Sequence, residues 1–364
     1  MNIDSLPSTT DDYILDQLSP AELYKYARTC KATHDVVYAY IRRKYQLHTL
    51  LGRYFGDSEI REFRLLQYNT GMVISGSTVL QFFDRTVYPD SDLDLYVEHR
   101  YRKSVAVWLS QIGYEYVPHP TSKFRTLEEA LSSTGPVPAE WDVTLSTGED
   151  PEYYEAILVL TFAMQRPYRK IQVITSFFNP LSSVLRFHST CVMNIITHNK
   201  AYSFFPRATF GDRRRSLKNF MNTSSGTQVA YAKYESRGWE IIGSIDRDDF
   251  DGANAAFPTG LRRVGDSKCW TIPIYPDLAL PEGYIESNAW VTQYNARLMP
   301  TMRFYGMYSR TQLRASYVFP ADQDVWHWIS EITKGGPNSA HSKIDRRYDE
   351  AYASLIRWYF DMYC

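Results

Sequence analysis

At 364 residues the chain is long enough for two domains, or for one domain with a sizeable extension. Its 44% apolar and 22% charged content is that of a globular protein and excludes a fibrous or disordered chain. The net charge of −1 excludes a global field that would draw in nucleic acid or an anionic membrane, so any basic site is local.

Residues 11–66 read as helices. Ile14, Leu15 and Leu18, then Leu23, Tyr26 and Ala27, then Val36, Val37, Tyr40 and Ile41 recur at helical spacing and predict three short amphipathic helices. Ser19 followed by Pro20 is a start signal for the second, as N-cap and first helical residue. From Gly71 the period changes. "GMVIS" is a short apolar strand and "TVLQFFDR" is helical, while "DLDLYVE" alternates as a strand does. "YRKSVAVWLSQIGY" returns to helical spacing. Residues 117–150, rich in Pro, Ser, Thr and Gly, read as an irregular insertion with one helical patch. "AILVLTFAM" and "YRKIQVITSF" form two strands around a turn at Gln165, Arg166 and Pro167. A short helix and further strand lead to the basic patch "GDRRRSLKNF".

Beyond residue 222, "YAKYESRGWEII" predicts a helix ending in a strand. "GLRRVGDSKCWTIPI" predicts a strand pair around Gly265 and Asp266. "DQDVWHWISEI" and "DRRYDEAYASLIRWYFDMY" predict helices near the end. The fold class is therefore α+β, in three regions: a helical segment over 1–62, a mixed-sheet core over 63–221, and an α/β extension over 222–364.

Cys30, Cys191, Cys269 and Cys364 are isolated, which leaves no CxxC metal site and no disulfide framework. The start of the chain lacks a signal-peptide pattern, and no apolar run approaches the roughly 20 residues of a membrane helix. These features predict a reducing compartment, the cytoplasm or nucleus, and no membrane partner.

The chemistry concentrates in "VISGSTVLQFFDRTVYPDSDLDLYV". On a strand, residues i and i+2 share a face, so Asp92 and Asp94 point one way and Leu93 and Leu95 the other. A DxD on an exposed strand is, by itself, an ordinary solvated pair. Two adjacent carboxylates repel unless a cation lies between them, and Mg²⁺ is commonly held by one or two carboxylates plus substrate phosphates. Gly76 lets backbone approach a ligand, and Ser77 opens a helix whose unpaired N–H groups form an anion site. The order strand, Gly-Ser, helix, DxD strand is more specific than either motif. It suits phosphoryl or nucleotidyl transfer.

In these residues the chain resembles the DNA-polymerase-β-like nucleotidyltransferase superfamily, through "ISGSTVLQFF" followed by "SDLDLYV" and over residues 63–218. The resemblance implies a nucleotidyltransferase-like mixed sheet flanked by helices. It implies an NTP substrate with Mg²⁺ (or Mn²⁺), phosphates held by Gly76 and Ser77, and metal held by the catalytic Asp92 and Asp94. The acceptor would be a hydroxyl on a protein, RNA or small molecule. The superfamily's third carboxylate falls on Gln172 in "RKIQVIT", where a neutral amide cannot act as a base. Asp142, Glu155 and His188 are its spatial alternatives. Members often grip the triphosphate with a later Lys or Arg, a role that falls to Lys218 and to an arginine such as Arg214.

The basic residues otherwise read as a solvated face, and no stacked basic–aromatic pattern supports nucleic-acid binding. The opening "LPSTTDDYILDQLSPAELYKYARTCKATHDVV" resembles an F-box, which implies a Skp-type adaptor partner through residues 1–60. A helical cap packed on the sheet is the alternative. The combination resembles fungal proteins with such an N-terminal segment. Two functions stay open: a nucleotidyltransferase, or a catalytically inactive scaffold or F-box-type adaptor for a ubiquitin ligase.

Overall fold

Among the described residues, five helices come first: α1 (Ser8–Asp16), α2 (Pro20–Ala27), α3 (Lys31–Lys44), α4 (Leu47–Leu51) and α5 (Asp57–Thr70). The computed structural model describes residues 8–89, 91–133, 141–144, 158–211, 214–219, 226–276, 278–309, 313–321, 324–325, 327 and 346–363. α2 begins where Ser19 and Pro20 dictate. The Ser19 hydroxyl accepts from the Glu22 N–H at 3.3 Å, and the Glu22 carboxylate accepts from the Ser19 N–H at 2.7 Å. α5 ends at Gly71, whose φ of 65° is the left-handed conformation that glycine adopts without cost. The expected three helices are thus five, because the apolar residues of 47–66 close two further helical segments.

The rest of the chain runs β1 (Val73–Ser75), α6 (Ser77–Asp84), β2 (Leu93–Glu98), α7 (Arg102–Gln111), β3 (Glu115–Val117), α8 (Leu127–Ser132), β4 (Trp141–Thr144), β5 (Leu158–Gln165) and β6 (Tyr168–Ser176). Next come α9 (Pro180–Val184), β7 (Asn194–Ile196), β8 (Lys200–Ser203), α10 (Pro206–Thr209), β9 (Arg215–Leu217), α11 (Thr227–Glu235), β10 (Glu240–Ile242) and α12 (Arg247–Phe250). β11 (Gly260–Arg263), β12 (Trp270–Pro273), β13 (Ala289–Tyr294), β14 (Pro300–Ser309), β15 (Tyr317–Pro320) and α13 (Arg346–Tyr363) follow.

The fold is mixed α and β. Among the described residues its main sheet has eight strands in the order β12-β8-β7-β1-β2-β6-β5-β3. β2 and β6 pair parallel, and the other neighbours pair antiparallel. The expected hairpin holds: β5 and β6 pair from Gln165↔Tyr168 outward. β11, β13, β14 and β15 form a second sheet, to which β4 adds through β14. β9 and β10 pair parallel on their own.

Three expectations change. The boundary at 221–222 is crossed, because β12 completes one edge of the main sheet against β8. β11 and β12 both form but do not pair with each other: β11 pairs β13. The intervening loop is held by side chains, with the fully buried Arg262 bonded to Asp266 at 2.7 Å and to the Phe204 carbonyl at 3.0 Å. The insertion at 117–150 supplies β4, which pairs with residues from the far end of the chain. Most of "DQDVWHWISEI" lies outside the described residues.

The N-terminal helices share the main core. Leu15, Leu23, Ala27, Val37, Tyr40 and Ile41 cluster with Phe83 of α6, Leu95 of β2 and Trp270 of β12. On the opposite side of the sheet, Phe178, Ile195, Phe204, Trp290 and Phe304 form a second cluster. Among the described residues, no helix is long and apolar enough to cross a membrane.

Candidate functional site

The middle of the main sheet brings the carboxylates to the start of α6. Antiparallel pairing of β1 with β2 sets Ser75 opposite Asp94. Gly76 then turns the chain from strand to helix at φ 72°, ψ −151°, a conformation that requires glycine. A Cβ on Gly76 would stand 2.5 Å from Asp94 Oδ2. The Asp94 carboxylate therefore lies directly against the backbone that leads into α6.

Side chains fasten this corner. Thr78 Oγ1 donates to the Asp92 carbonyl at 2.6 Å, and the Ser77 and Ser91 hydroxyls bond at 2.7 Å. Gln81 Nε2 donates to the Ser77 carbonyl at 3.1 Å and to Ser91 Oγ at 2.8 Å. Ser77 is buried, and its hydroxyl is committed to Ser91. What Ser77 offers a ligand is its backbone N–H.

β2 alternates as its sequence requires. Leu93, Leu95 and Val97 are fully buried, while Asp92, Asp94 and Tyr96 occupy the other face. Burial first, then the neighbouring charge of Asp92, pushes the Asp94 carboxyl up to about 7, against the pull of Lys233 and Lys170. Asp92 forms an ion pair with Lys170 at 2.6 Å. Parallel pairing sets Asp94 opposite Gln172 on β6. The expected third position is thus the immediate cross-strand neighbour of Asp94, and an amide occupies it.

The other expected residues separate. Arg214 bonds both carboxylate oxygens of Asp84 at 3.0 and 2.9 Å and lies 4.0 Å from the centre of the Trp239 ring. Asp84 is the last residue of α6, roughly 12 Å along the helix from Gly76 at 1.5 Å per residue. Arg214 is therefore spent at the end of α6 away from Gly76. Lys218 stands 5.0 Å from the centre of the Tyr231 ring, at the side of α11. Asp142 lies on β4, and its side chain is outside the described set, as is Glu155. His188 bonds Ser189 at 2.8 Å and packs against Tyr231 and Tyr234. Burial and the nearby Lys233 hold the His188 imidazole down to about 4.

Two lysines gained roles that sequence reading missed. The charge of Lys233 on α11 bears on both Asp94 and His188. Its segment reads only as a helix, and nothing local marks that residue. Lys170 was legible in principle: once Gln172 is placed opposite Asp94, the two-residue period places Lys170 opposite Asp92.

Beside Asp92 opens a cleft of about 310 Å³, lined by Arg53, Tyr54, Pro89, Ser91, Asp92, Tyr168, Arg169 and Lys170. Among the described residues, no three His, Cys, Asp or Glu side chains stand together as a complete metal site. Two carboxylates and an amide fit a cation that arrives with oxygen ligands of its own. Comparison with known proteins finds no matching family model, no matching curated protein and no matching solved structure.

Proposed function

We propose that the chain binds a nucleoside triphosphate together with Mg²⁺ (or Mn²⁺) at Gly76, Ser77, Asp92 and Asp94, and transfers the nucleotidyl group to an acceptor oxygen. The observation that carries this reading is the register that sets the Asp94 carboxylate against Gly76 and the first turn of α6. That turn offers unpaired N–H groups to an anion, and the paired carboxylates call for a hard cation. A metal–triphosphate complex meets both demands at once. The order β1, β2, β6, antiparallel then parallel, supports the nucleotidyltransferase-like fold that the resemblance implies.

The residues divide the work. Backbone N–H groups at Gly76 and Ser77 cradle phosphate oxygens. Asp92 and Asp94 hold the cation, which when bound neutralises phosphate charge and polarises the phosphoryl oxygens. Lys170 holds the Asp92 carboxylate in place. Lys233 supplies the phosphate-gripping cation that was expected from Lys218 or Arg214. Calorimetric titration with each NTP in Mg²⁺ tests this reading. Binding should weaken at least tenfold in Asp92→Asn and in Asp94→Asn. No binding to any NTP, or binding indifferent to both substitutions, rules the reading out.

Gln172 favours a second reading, in which the chain binds nucleotide without turnover and serves as a scaffold. Radiolabelled NTP that binds but never leaves product on any acceptor is its signature. An adaptor role for residues 1–60 faces an obstacle, since Leu15, Leu23, Ala27 and Val37 are spent in the core and mainly Tyr13, Ile14 and Tyr38 remain exposed. A pull-down that recovers a Skp-type adaptor only with residues 1–60 present would establish it.

A further inference from the structure

The cleft beside Asp92 bears on what the acceptor is. Three of its lining side chains are cationic, Arg53, Arg169 and Lys170, and a single carboxylate, that of Asp92, opposes them. Lys170 is paired with that carboxylate. The two guanidinium groups also face tyrosines, Arg53 at 5.7 Å from the centre of the Tyr54 ring and Arg169 beside the Tyr114 hydroxyl, yet both keep donors to spare. Arg53 reaches the Leu50 carbonyl at 3.4 Å and Gln81 Oε1 at 3.5 Å, both at the limit of a hydrogen bond. Arg169 donates through Nη1 to the Tyr54 carbonyl at 2.8 Å, while its Nε is buried with no hydrogen-bond partner. Tyr168, largely exposed, rims the opening. Two arginines with donors to spare, in a cleft where three cations face one carboxylate, make a place for a phosphate.

The missing acid points the same way. A hydroxyl nucleophile must lose its proton as it attacks. Gln172, opposite Asp94, cannot take it. Asp92 and Asp94 are engaged by the cation in the reading above. A phosphate monoester needs no base, because its second ionisation lies near pH 6 and its oxygen already carries charge at neutral pH.

We propose that the acceptor is a phosphate oxyanion, bound by Arg53 and Arg169 in the cleft that opens onto Asp92. This inference rests on the nucleotidyl-transfer reading and narrows it. An oxygen of the acceptor phosphate attacks the α-phosphorus of the NTP and forms a new P–O–P linkage. The bond from the α-phosphorus to the bridging oxygen breaks, and pyrophosphate leaves with the electron pair. No proton moves from the acceptor and no redox partner is required. With inorganic phosphate the products are a nucleoside diphosphate and pyrophosphate. With a phosphate monoester they are a diphosphate-linked nucleotide and pyrophosphate.

The test uses the full chain, Mg²⁺, the NTP that binds most tightly in calorimetry, and two probes, [³²P]-inorganic phosphate and phenyl phosphate. Label should enter the β-position of the nucleoside diphosphate, and phenyl phosphate should give the phenyl diphosphate–nucleoside conjugate by mass spectrometry. Arg53→Gln with Arg169→Gln should raise the KM for either probe at least tenfold, while Arg169→Lys, which keeps the charge, should lose less. Thermal unfolding of each variant checks that the fold is intact. Bound NTP with no transfer to either probe overturns the proposal, as does transfer that is indifferent to Arg53 and Arg169. If calorimetry shows no NTP binding, the nucleotidyl reading itself has failed. The cleft is then judged alone, by whether inorganic phosphate binds the chain and loses that binding in Arg169→Gln.

Discussion

At the scale of single residues, the candidate site sets one amide beside two carboxylates. Gln172 stands opposite Asp94 across β2 and β6. Gln172→Glu should place three carboxylates together. Without metal, like-charge repulsion should lower stability by about 1 kcal/mol. Added Mg²⁺ should restore it, so the midpoint of thermal unfolding should become Mg²⁺-dependent in the variant more than in the parent. A midpoint that ignores Mg²⁺ would show that residue 172 lies outside cation reach. A second residue sets a pH dependence away from the site. Glu286 is pushed up to about 7, by burial above all, and its carboxylate accepts from the Tyr202 hydroxyl at 2.9 Å. A folded-state value above the unfolded 4.5 means that the folded chain holds the extra proton. The resulting stability is complete below about pH 4.5 and is lost as pH rises to about 7. Glu286→Gln keeps an acceptor for Tyr202 but cannot titrate. At pH 8 the variant should exceed the parent by an amount of order 2 kcal/mol, and at pH 4 the two should converge, as read by urea unfolding across that range.

At the scale of elements, α6 is pinned at both ends by different means. Its start is fastened by Ser77, Thr78 and Gln81 to the residues that lead into β2. Its end is held by the bidentate pair of Asp84 with Arg214. Asp84 is nearly buried, so Arg214→Gln leaves a carboxylate without its partner and should cost about 2 kcal/mol. The NTP affinity of that variant should stay within twofold of the parent, since Arg214 lies at the far end of the helix from Gly76. A tenfold loss of NTP affinity without loss of stability would return Arg214 to the site. The same contrast explains a limit of sequence reading. "GDRRRSLKNF" shows several cations and no sign of which one has a buried carboxylate waiting for it.

At the scale of the whole molecule, the C-terminal region contributes β12 to the edge of the main sheet. Trp270 of β12 makes ring contacts with Tyr24 of α2, Tyr45 after α3, Phe83 of α6 and Phe210 after α10. One side chain therefore ties the N-terminal helices, the candidate site's helix and the sheet edge together. A fragment ending at residue 221 lacks both that ring and the β12 edge. It should fail to fold, showing no cooperative thermal transition by circular dichroism, while the full chain keeps one. A fragment that melts cooperatively would restore the boundary expected from sequence.

By itself the sequence determined what near neighbours decide. The Ser19–Pro20 start of α2, the alternation of β2 around Asp92 and Asp94, the turn before Tyr168, and Gly76 between strand and helix all follow from propensity and period over a few residues. Gln172 was singled out only through the resemblance, and the register of β2 with β6 then set it opposite Asp94. Tertiary structure alone decided which cation meets which carboxylate. Lys170 went to Asp92 across 78 positions and Arg214 to Asp84 across 130, while the charge of Lys233 came to bear on Asp94 from a helix with no local mark. It also divided β11 and β12 between two sheets, where a hairpin was the local expectation. Periodicity records which face of an element is buried. It carries no record of the distant element that buries it, and ion pairing and strand partnership are settled by that distant element.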